Sequence, residues 1–234
     1  MMLSKIPVGV SMNTDNARLS PICDPFVDVE KYSGGRILAD MKYIRAGYNG
    51  AIDIAYARRN VADKLLKAAS LLPDGYRLLI YDAWRPYSVQ KALYDEYFDK
   101  LAKDPANQGL SEEELHALAK KFVSFPVMGK ALSYVHSSGG AIDLTLAYDD
   151  GTELYMGCGF DEFTPLASSD AYESIDCEAR DNRRLLYTVM TEAGFTNYHE
   201  EWWHFDYGDL FWSSMTGNDA IYSSVYTLEE VKNG

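Results

Sequence analysis

The chain has 234 residues, 47% hydrophobic and 24% charged, enough to bury a core and without the bias of a disordered segment. Its formal net charge of −13 repels phosphate backbones and argues against a nucleic-acid partner. Cys23, Cys158 and Cys177, an odd set without CxxC spacing, exclude a disulfide framework and a cysteine-rich zinc site.

The N-terminal segment MMLSKIPVGVSMNTDNARL lacks the continuous apolar core of a secretory signal, and no apolar run is long enough to span a bilayer. The expectation is a soluble cytoplasmic protein with no membrane partner. Residues 1–40 read as loops and short strands packed on a body. Val61, Leu65, Ala68 and Leu72 recur at helical spacing, and Pro73-Asp74-Gly75 stops that helix. Residues 76–81 (YRLLIY) read as a strand. An irregular exit follows over 82–86, because Pro86 disfavours helix at Arg85. A second helix begins at Ser88, with Val89, Ala92 and Leu93 inward.

LAKDPANQG reads as a surface loop. Ser111 and Glu114 form a capping box for a third helix, to about Phe122, on which His116 is expected to be solvated. Residues 141–146 (AIDLTL) alternate as a strand, with Ile142, Leu144 and Leu146 on one face and Asp143 and Thr145 on the other. Residues 147–176 are loop-rich. Leu185, Leu186, Val189, Met190 and Ala193 mark a fourth helix closed by Gly194. A short strand pair brackets residues 198–207. Helices and strands mix without regular alternation, which predicts an α+β fold. The expectation is one domain over 1–234, with helices packed on an antiparallel or mixed sheet.

Some of these residues carry chemistry. His136 precedes a Gly-Gly pair that lets the chain turn sharply. Asp143 stands on an otherwise aliphatic strand, where a metal, a salt bridge or an edge position would each satisfy it. Glu201 and His204 lie three apart around two tryptophans and face the same side only in a turn or helix. An aromatic core segment with a His–Glu pair at its rim accounts for them equally well. Taken together, His136, Asp143 and His204 make a hydrolytic zinc set that leaves one position for water. Bound zinc lowers the pKa of water to about 7, and a neighbouring carboxylate takes the proton. Glu201 and Glu200 both adjoin the tryptophans and compete for that role. Arg85, between Trp84 and Pro86, suits an oxyanion, or alternatively an ordinary salt bridge.

HSSGGAIDLTL, EWWHF and DAWRP together resemble the zinc D-alanyl-D-alanine dipeptidases of the VanX type, within the hedgehog-like zinc peptidase superfamily. The family pattern SxHxxGxAxD is met by His136, Gly139, Ala141 and Asp143, and ExWH by Glu201, Trp203 and His204. DMKYIRAGYNG, MGCGFDEF and NRRLLYTVMTEAGF are similar to further family segments, in the family's order, so the likeness runs over about 40–207. The resemblance implies one zinc per chain at the sheet, held by His136, Asp143 and His204. It implies Glu201 rather than Glu200 as general base, Arg85 as transition-state stabiliser, and Asp161 as partner of the substrate ammonium. One departure stands beside the first ligand: the family serine two residues before the histidine is Tyr134, while Ser133 and the Ser137-Ser138 pair stand nearby. Tyr134 and Ser137 are therefore the expected substrate contacts of an altered loop.

The activity so implied is a zinc-dependent dipeptidase, hydrolysing D-Ala-D-Ala or a related D-amino-acid dipeptide through a zinc-bound water. Two other readings fit: a zinc D,D-carboxypeptidase or cell-wall endopeptidase, and a catalytically silent, zinc-stabilised binding module. Retention of both Glu201 and Arg85 speaks against the last.

Overall fold

The computed structural model describes residues 3–9, 13–15, 17–120, 122–162 and 164–233. Parts of the N-terminal segment, Lys121 of the expected third helix and Phe163 of MGCGFDEF lie outside them.

The chain before residue 59 holds more regular structure than its weak periodicity predicts. It contains β1 (Phe26–Asp28), α1 (Val29–Tyr32), β2 (Ile37–Ala39), α2 (Lys42–Arg45) and β3 (Tyr56–Arg58). Elements this short do not complete one hydrophobic period, so tertiary pairing decides them. From there the expected elements appear in order: α3 (Arg59–Leu71), β4 (Tyr76–Asp82), α4 (Tyr87–Lys103), α5 (Glu112–Ala119), β5 (Ala141–Tyr148) and α6 (Glu178–Ala193). The strand pair is β6 (Thr196–Asn197) and β7 (His204–Asp206), and the chain ends with α7 (Leu210–Thr216) and α8 (Leu228–Asn233). The Ser111–Glu114 capping box is formed, and Gly194 closes α6 at φ 104°. Among the described residues no helix is long and apolar enough to cross a membrane.

The fold is α+β. Its five-stranded sheet has the order β2-β4-β5-β7-β6, antiparallel except for the parallel β2–β4 pair. β1 and β3 form a separate antiparallel pair. Ile142, Leu144 and Leu146 pack with Val61, Leu65 and Ala68 of α3 and Leu186, Val189 and Met190 of α6 in one core. The amphipathic faces of α3 and α6 thus cover one side of the sheet and leave the other for the site. α4 and α5 make a smaller cluster around Tyr94, Ala119 and Val123. There His116 keeps about a third of its side chain exposed (35%) and also makes aromatic contacts. It stacks on Phe98 at 4.4 Å, and its Nδ1 lies 2.7 Å from the Tyr94 hydroxyl.

Two features of this frame aim residues at the site. A bulge between Ile80 and Asp82 shifts the register at the end of β4 and brings Asp82 opposite Asp143. Beyond the turn at 135–138, Gly140 lies against Tyr207, whose N–H donates to the Gly140 carbonyl at 3.1 Å. A Cβ on Gly140 would fall 2.4 Å from the Tyr207 carbonyl oxygen. Gly140→Ala is expected to destabilise the protein by about 1–3 kcal/mol through overpacking, read as a lowered urea midpoint.

Candidate active site

The site is built on the sheet register. Asp143 on β5 pairs with His204 on β7, so the two side chains leave the sheet on the same face. His136 comes from the short 3₁₀ turn before β5, which Gly139 ends with a left-handed φ of 74°. A clamp holds that turn to the β4 exit. The Arg85 N–H donates to the His136 carbonyl (3.2 Å), His136 Nδ1 bonds the Ala83 carbonyl (2.8 Å), and the Tyr134 hydroxyl donates to the Arg85 carbonyl (2.9 Å).

These contacts fix which nitrogens remain available. A carbonyl only accepts, so His136 Nδ1 carries the proton and Nε2 keeps its lone pair. His204 Nε2 donates to Asp206 Oδ1 at 2.8 Å, so Nδ1 is the nitrogen that can offer a lone pair once its own proton gives way to a cation. His136 Nε2 and His204 Nδ1 lie 3.3 Å apart. Asp143 Oδ2 lies 3.3 Å from His136 Nε2, and Asp143 Oδ1 lies 2.9 Å from His204 Nδ1. Zinc with ligands at about 2.0–2.1 Å puts neighbouring donors of a tetrahedron roughly 3.3–3.4 Å apart. The two nitrogens stand at that spacing, and one ligand atom each of His136, Asp143 and His204 lies within 4.8 Å of the others, so these buried residues fit a divalent zinc and form the group able to hold a metal among the described residues.

The electrostatics agree. Burial works to raise the Asp143 carboxyl, but His136 and His204 outweigh it and hold it below the ordinary carboxylate value. Burial also opposes a charged His204, yet the Asp206 and Asp143 carboxylates push its pKa well above normal. The His204 shift marks the negative potential of the carboxylates flanking that ring, where a cation is favoured. Asp209 backs this chain. Its carboxyl is raised well above the usual range by burial and by the Asp206 charge beside it. Its Oδ1 accepts from the Trp212 N–H at the start of α7 (3.0 Å).

Glu201 and His204 are brought to one side by a turn, in which the Glu201 N–H bonds the Tyr198 carbonyl and the His204 N–H bonds the Glu201 carbonyl. Glu201 Oε2 lies 3.8 Å from His204 Nδ1 and faces the cavity, whereas Glu200 is exposed outside it. Burial pushes the Glu201 carboxyl up to about 8, with the His204 charge opposing. A group poised there can take a proton and return it.

Arg85 is 7% exposed. Its Nε donates to Asp82 (2.7 Å), Nη1 to Gln90 (2.8 Å) and Nη2 to Asp143 (3.1 Å). Three of five N–H groups are used, and one on each terminal nitrogen remains for a ligand. The guanidinium lies 4.7 Å from the centre of the Tyr43 ring, and the Tyr43 hydroxyl donates to Asp161 Oδ2 (2.9 Å). Asp161 adopts φ 56°, the one left-handed non-glycine among the described residues, a conformation aspartate tolerates better than most side chains. Burial pushes its carboxyl up to about 7, against the pull of Arg85.

Of the expected site residues, His136, Asp143, His204, Glu201, Arg85, Asp161 and Tyr134 line one cavity of about 930 Å³. Ser137 does not. It is fully buried, and its hydroxyl donates to the Tyr134 carbonyl (2.5 Å) beside Ser224 Oγ (2.7 Å), so the 3₁₀ turn directs it away from any ligand. The expectation of Ser137 as a substrate contact is corrected accordingly. Sequence reasoning missed Asp82, Gln90, Tyr43 and Asp206. Asp206 was within reach of it, because residues two apart on a strand share a face with His204.

The family model described as D-ala-D-ala dipeptidase matches residues 40–222. The chain belongs to this peptidase family. It is 28% identical over 174 residues to the D-alanyl-D-alanine dipeptidase of Synechocystis sp., covering 67% of this chain and 70% of that one. It is 35% identical over 147 residues to the enzyme of that name from Enterococcus faecium, covering 62% and 69%. A solved structure of VanYB in complex with D-Alanine-D-Alanine superposes with a TM-score of 0.40 at 17% identity, over 65% of this chain and 72% of that one.

The Asp206 contact predicts a measurable effect on the metal. Asp206→Asn removes the charge that holds the His204 ring, and zinc affinity is expected to fall about 10–100-fold. Titration against a competing chelator reads it.

Proposed function

We propose that this family member is a zinc-dependent dipeptidase that hydrolyses D-Ala-D-Ala or a related D-amino-acid dipeptide. His136, Asp143 and His204 hold one zinc per chain. The observation that carries the reading is the convergence of two imidazole nitrogens 3.3 Å apart with the two oxygens of Asp143, one against each ring at 2.9 and 3.3 Å, and the Glu201 carboxylate 3.8 Å from His204, in one cavity. The names of the relatives support the substrate class.

Zinc bound there supplies a Lewis acid that acidifies water and polarises a carbonyl. The remaining work belongs to side chains. Glu201 takes the proton of the attacking water and later delivers it to the leaving amine, for which its raised pKa suits it. Arg85 directs its two remaining N–H groups at the oxyanion, and its three bonded N–H groups keep the guanidinium from turning. Asp161 pairs with the substrate ammonium, which draws its carboxyl into the charged form. Tyr134 is a wall rather than a donor, because its hydroxyl proton is already given to the Arg85 carbonyl.

Zinc-loaded protein is expected to cleave D-Ala-D-Ala in preference to L-Ala-L-Ala in a panel followed by amine release, and chelation to abolish it. A loaded protein that cleaves no dipeptide of either hand would sink the proposal. Glu201→Gln is expected to lower kcat by about 10²–10⁴-fold while zinc content by metal analysis stays at the wild-type level.

A further inference from the structure

The turn that carries His136 is a single one, Val135–Ser138, and it runs into Gly139 and Gly140. Two consecutive glycines leave the chain free to swing at that end. The His136 ring meets the metal position only while this backbone stands still. The clamp described above holds the side of the turn toward β4. Its other side is held by residues far off in sequence.

Arg58 takes the end of the turn. Its backbone N–H donates to the Gly139 carbonyl (3.1 Å) and its Nε to the Ser138 carbonyl (2.9 Å), with the guanidinium 4.1 Å from the centre of the Phe26 ring. Its Nη2 donates to the Ser223 carbonyl (3.3 Å), where a run of bonds from the last stretch of chain begins. The Ser224 N–H donates to the Ala131 carbonyl, the Val225 N–H to the Ser137 carbonyl and the Trp84 indole N–H to the Val225 carbonyl, each at 2.8 Å. Trp84 precedes Arg85, so residues 223–225 bond to both segments that supply His136 and Arg85.

The Ser224 side chain closes this strap on the turn. Its Oγ accepts the Ser133 N–H at 3.0 Å and lies 2.7 Å from Ser137 Oγ. Ser137 gives its one proton to the Tyr134 carbonyl at 2.5 Å, so the Ser224 hydroxyl donates to Ser137. The result is a one-way chain from the Ser133 amide through Ser224 and Ser137 to Tyr134, and bonds in such a chain polarise one another. The serines on either side of Tyr134 are thus engaged with the end of the chain rather than with a ligand. We propose that Ser224 is a positioning residue for the metal site, and that residues 223–225 are a strap by which the end of the chain sets the backbone under His136. The inference rests on the reading of His136 as a metal ligand, and Ser224 acts through that turn, because it is not among the residues lining the cavity.

The test loads the full chain with cobalt(II), as wild type and as Ser224→Ala, Ser224→Thr, Ser137→Ala and Ser20→Ala. Competition with a chelator reads affinity, and the visible d–d bands read ligand geometry. Ser20→Ala is the control: it loosens the same end of the chain, where Ser20 Oγ donates to Asp219 at 2.8 Å, without touching the turn. Ser224→Ala is expected to weaken cobalt about two- to tenfold, as the loss of one hydrogen bond does, and to shift the bands. Ser224→Thr keeps the hydroxyl and restores both, and Ser20→Ala moves neither. Ser137→Ala cuts the same chain from the other side, so the double variant is expected to lose no more than either single one. With zinc and D-Ala-D-Ala, Ser224→Ala is expected to lower kcat and leave KM as it was. Wild-type affinity and bands in Ser224→Ala, no recovery with Ser224→Thr, additive losses in the double variant, or an equal change in Ser20→Ala overturns the proposal. A wild-type chain that binds no cobalt overturns it together with the zinc reading. A wild-type chain that binds cobalt, with the variants in the expected order, but cleaves no dipeptide defeats the dipeptidase reading alone.

Discussion

A single carboxylate organises this structure. Asp143 is 2% exposed in the middle of the sheet, and an isolated charge there would be strongly disfavoured. Its two oxygens are divided among three partners: Oδ1 to His204, Oδ2 to His136 and to Arg85. Removing one partner of such a buried pair costs about 3–5 kcal/mol, because the remaining charge is left uncompensated. The charge balance of Asp143 therefore constrains where β7, the turn before β5 and the exit of β4 can sit. The groups proposed to hold the metal and the oxyanion all touch that one carboxylate, so the proposed site and the electrostatic stability of the sheet centre are not separable.

The residues behind the donors matter as much as the donors. His136 answers to a backbone carbonyl and His204 to a carboxylate, which makes the two rings unequal. Carboxylate contact makes the His204 ring more basic, and Asp209, its own carboxyl pushed up by burial and by the Asp206 charge, stands behind that contact. Across the cavity, Tyr43 plays a comparable part. It touches Arg85 with its face and Asp161 with its hydroxyl, so the groups proposed for the oxyanion and the ammonium share one rigid ring as a spacer.

Much of this was legible from the chain. The periodic helices and strands from residue 59 onward are where hydrophobic spacing puts them, and the capping signals at Ser111 and Gly194 are used as expected. His136, Asp143, His204, Glu201 and Arg85 were found through motif spacing and do converge. Three kinds of fact stayed hidden. The short elements before residue 59 depend on partners distant in sequence. The orientation of Ser137 depends on a 3₁₀ turn whose hydroxyls find backbone carbonyls, which residue type alone does not specify. Gln90 acts through a tertiary contact from a helix whose spacing predicts only burial, Tyr43 through one from a turn of helix too short to show any spacing, and the contact of His116 with Phe98 on α4 is tertiary in the same way.

The side chain of Gln90 holds a different partner at each end. Its carbonyl oxygen accepts from Arg85, and its amide donates to the Ser124 carbonyl at 2.8 Å, in the wall across from α4. An amide that spans both makes them one mechanical part. The wall at 122–124 cannot swing outward without letting go of the Gln90 amide, and Gln90 cannot follow it without releasing Arg85. The arginine, held also by Asp82 and Asp143, is thereby tied through one amide to the far wall of the cavity.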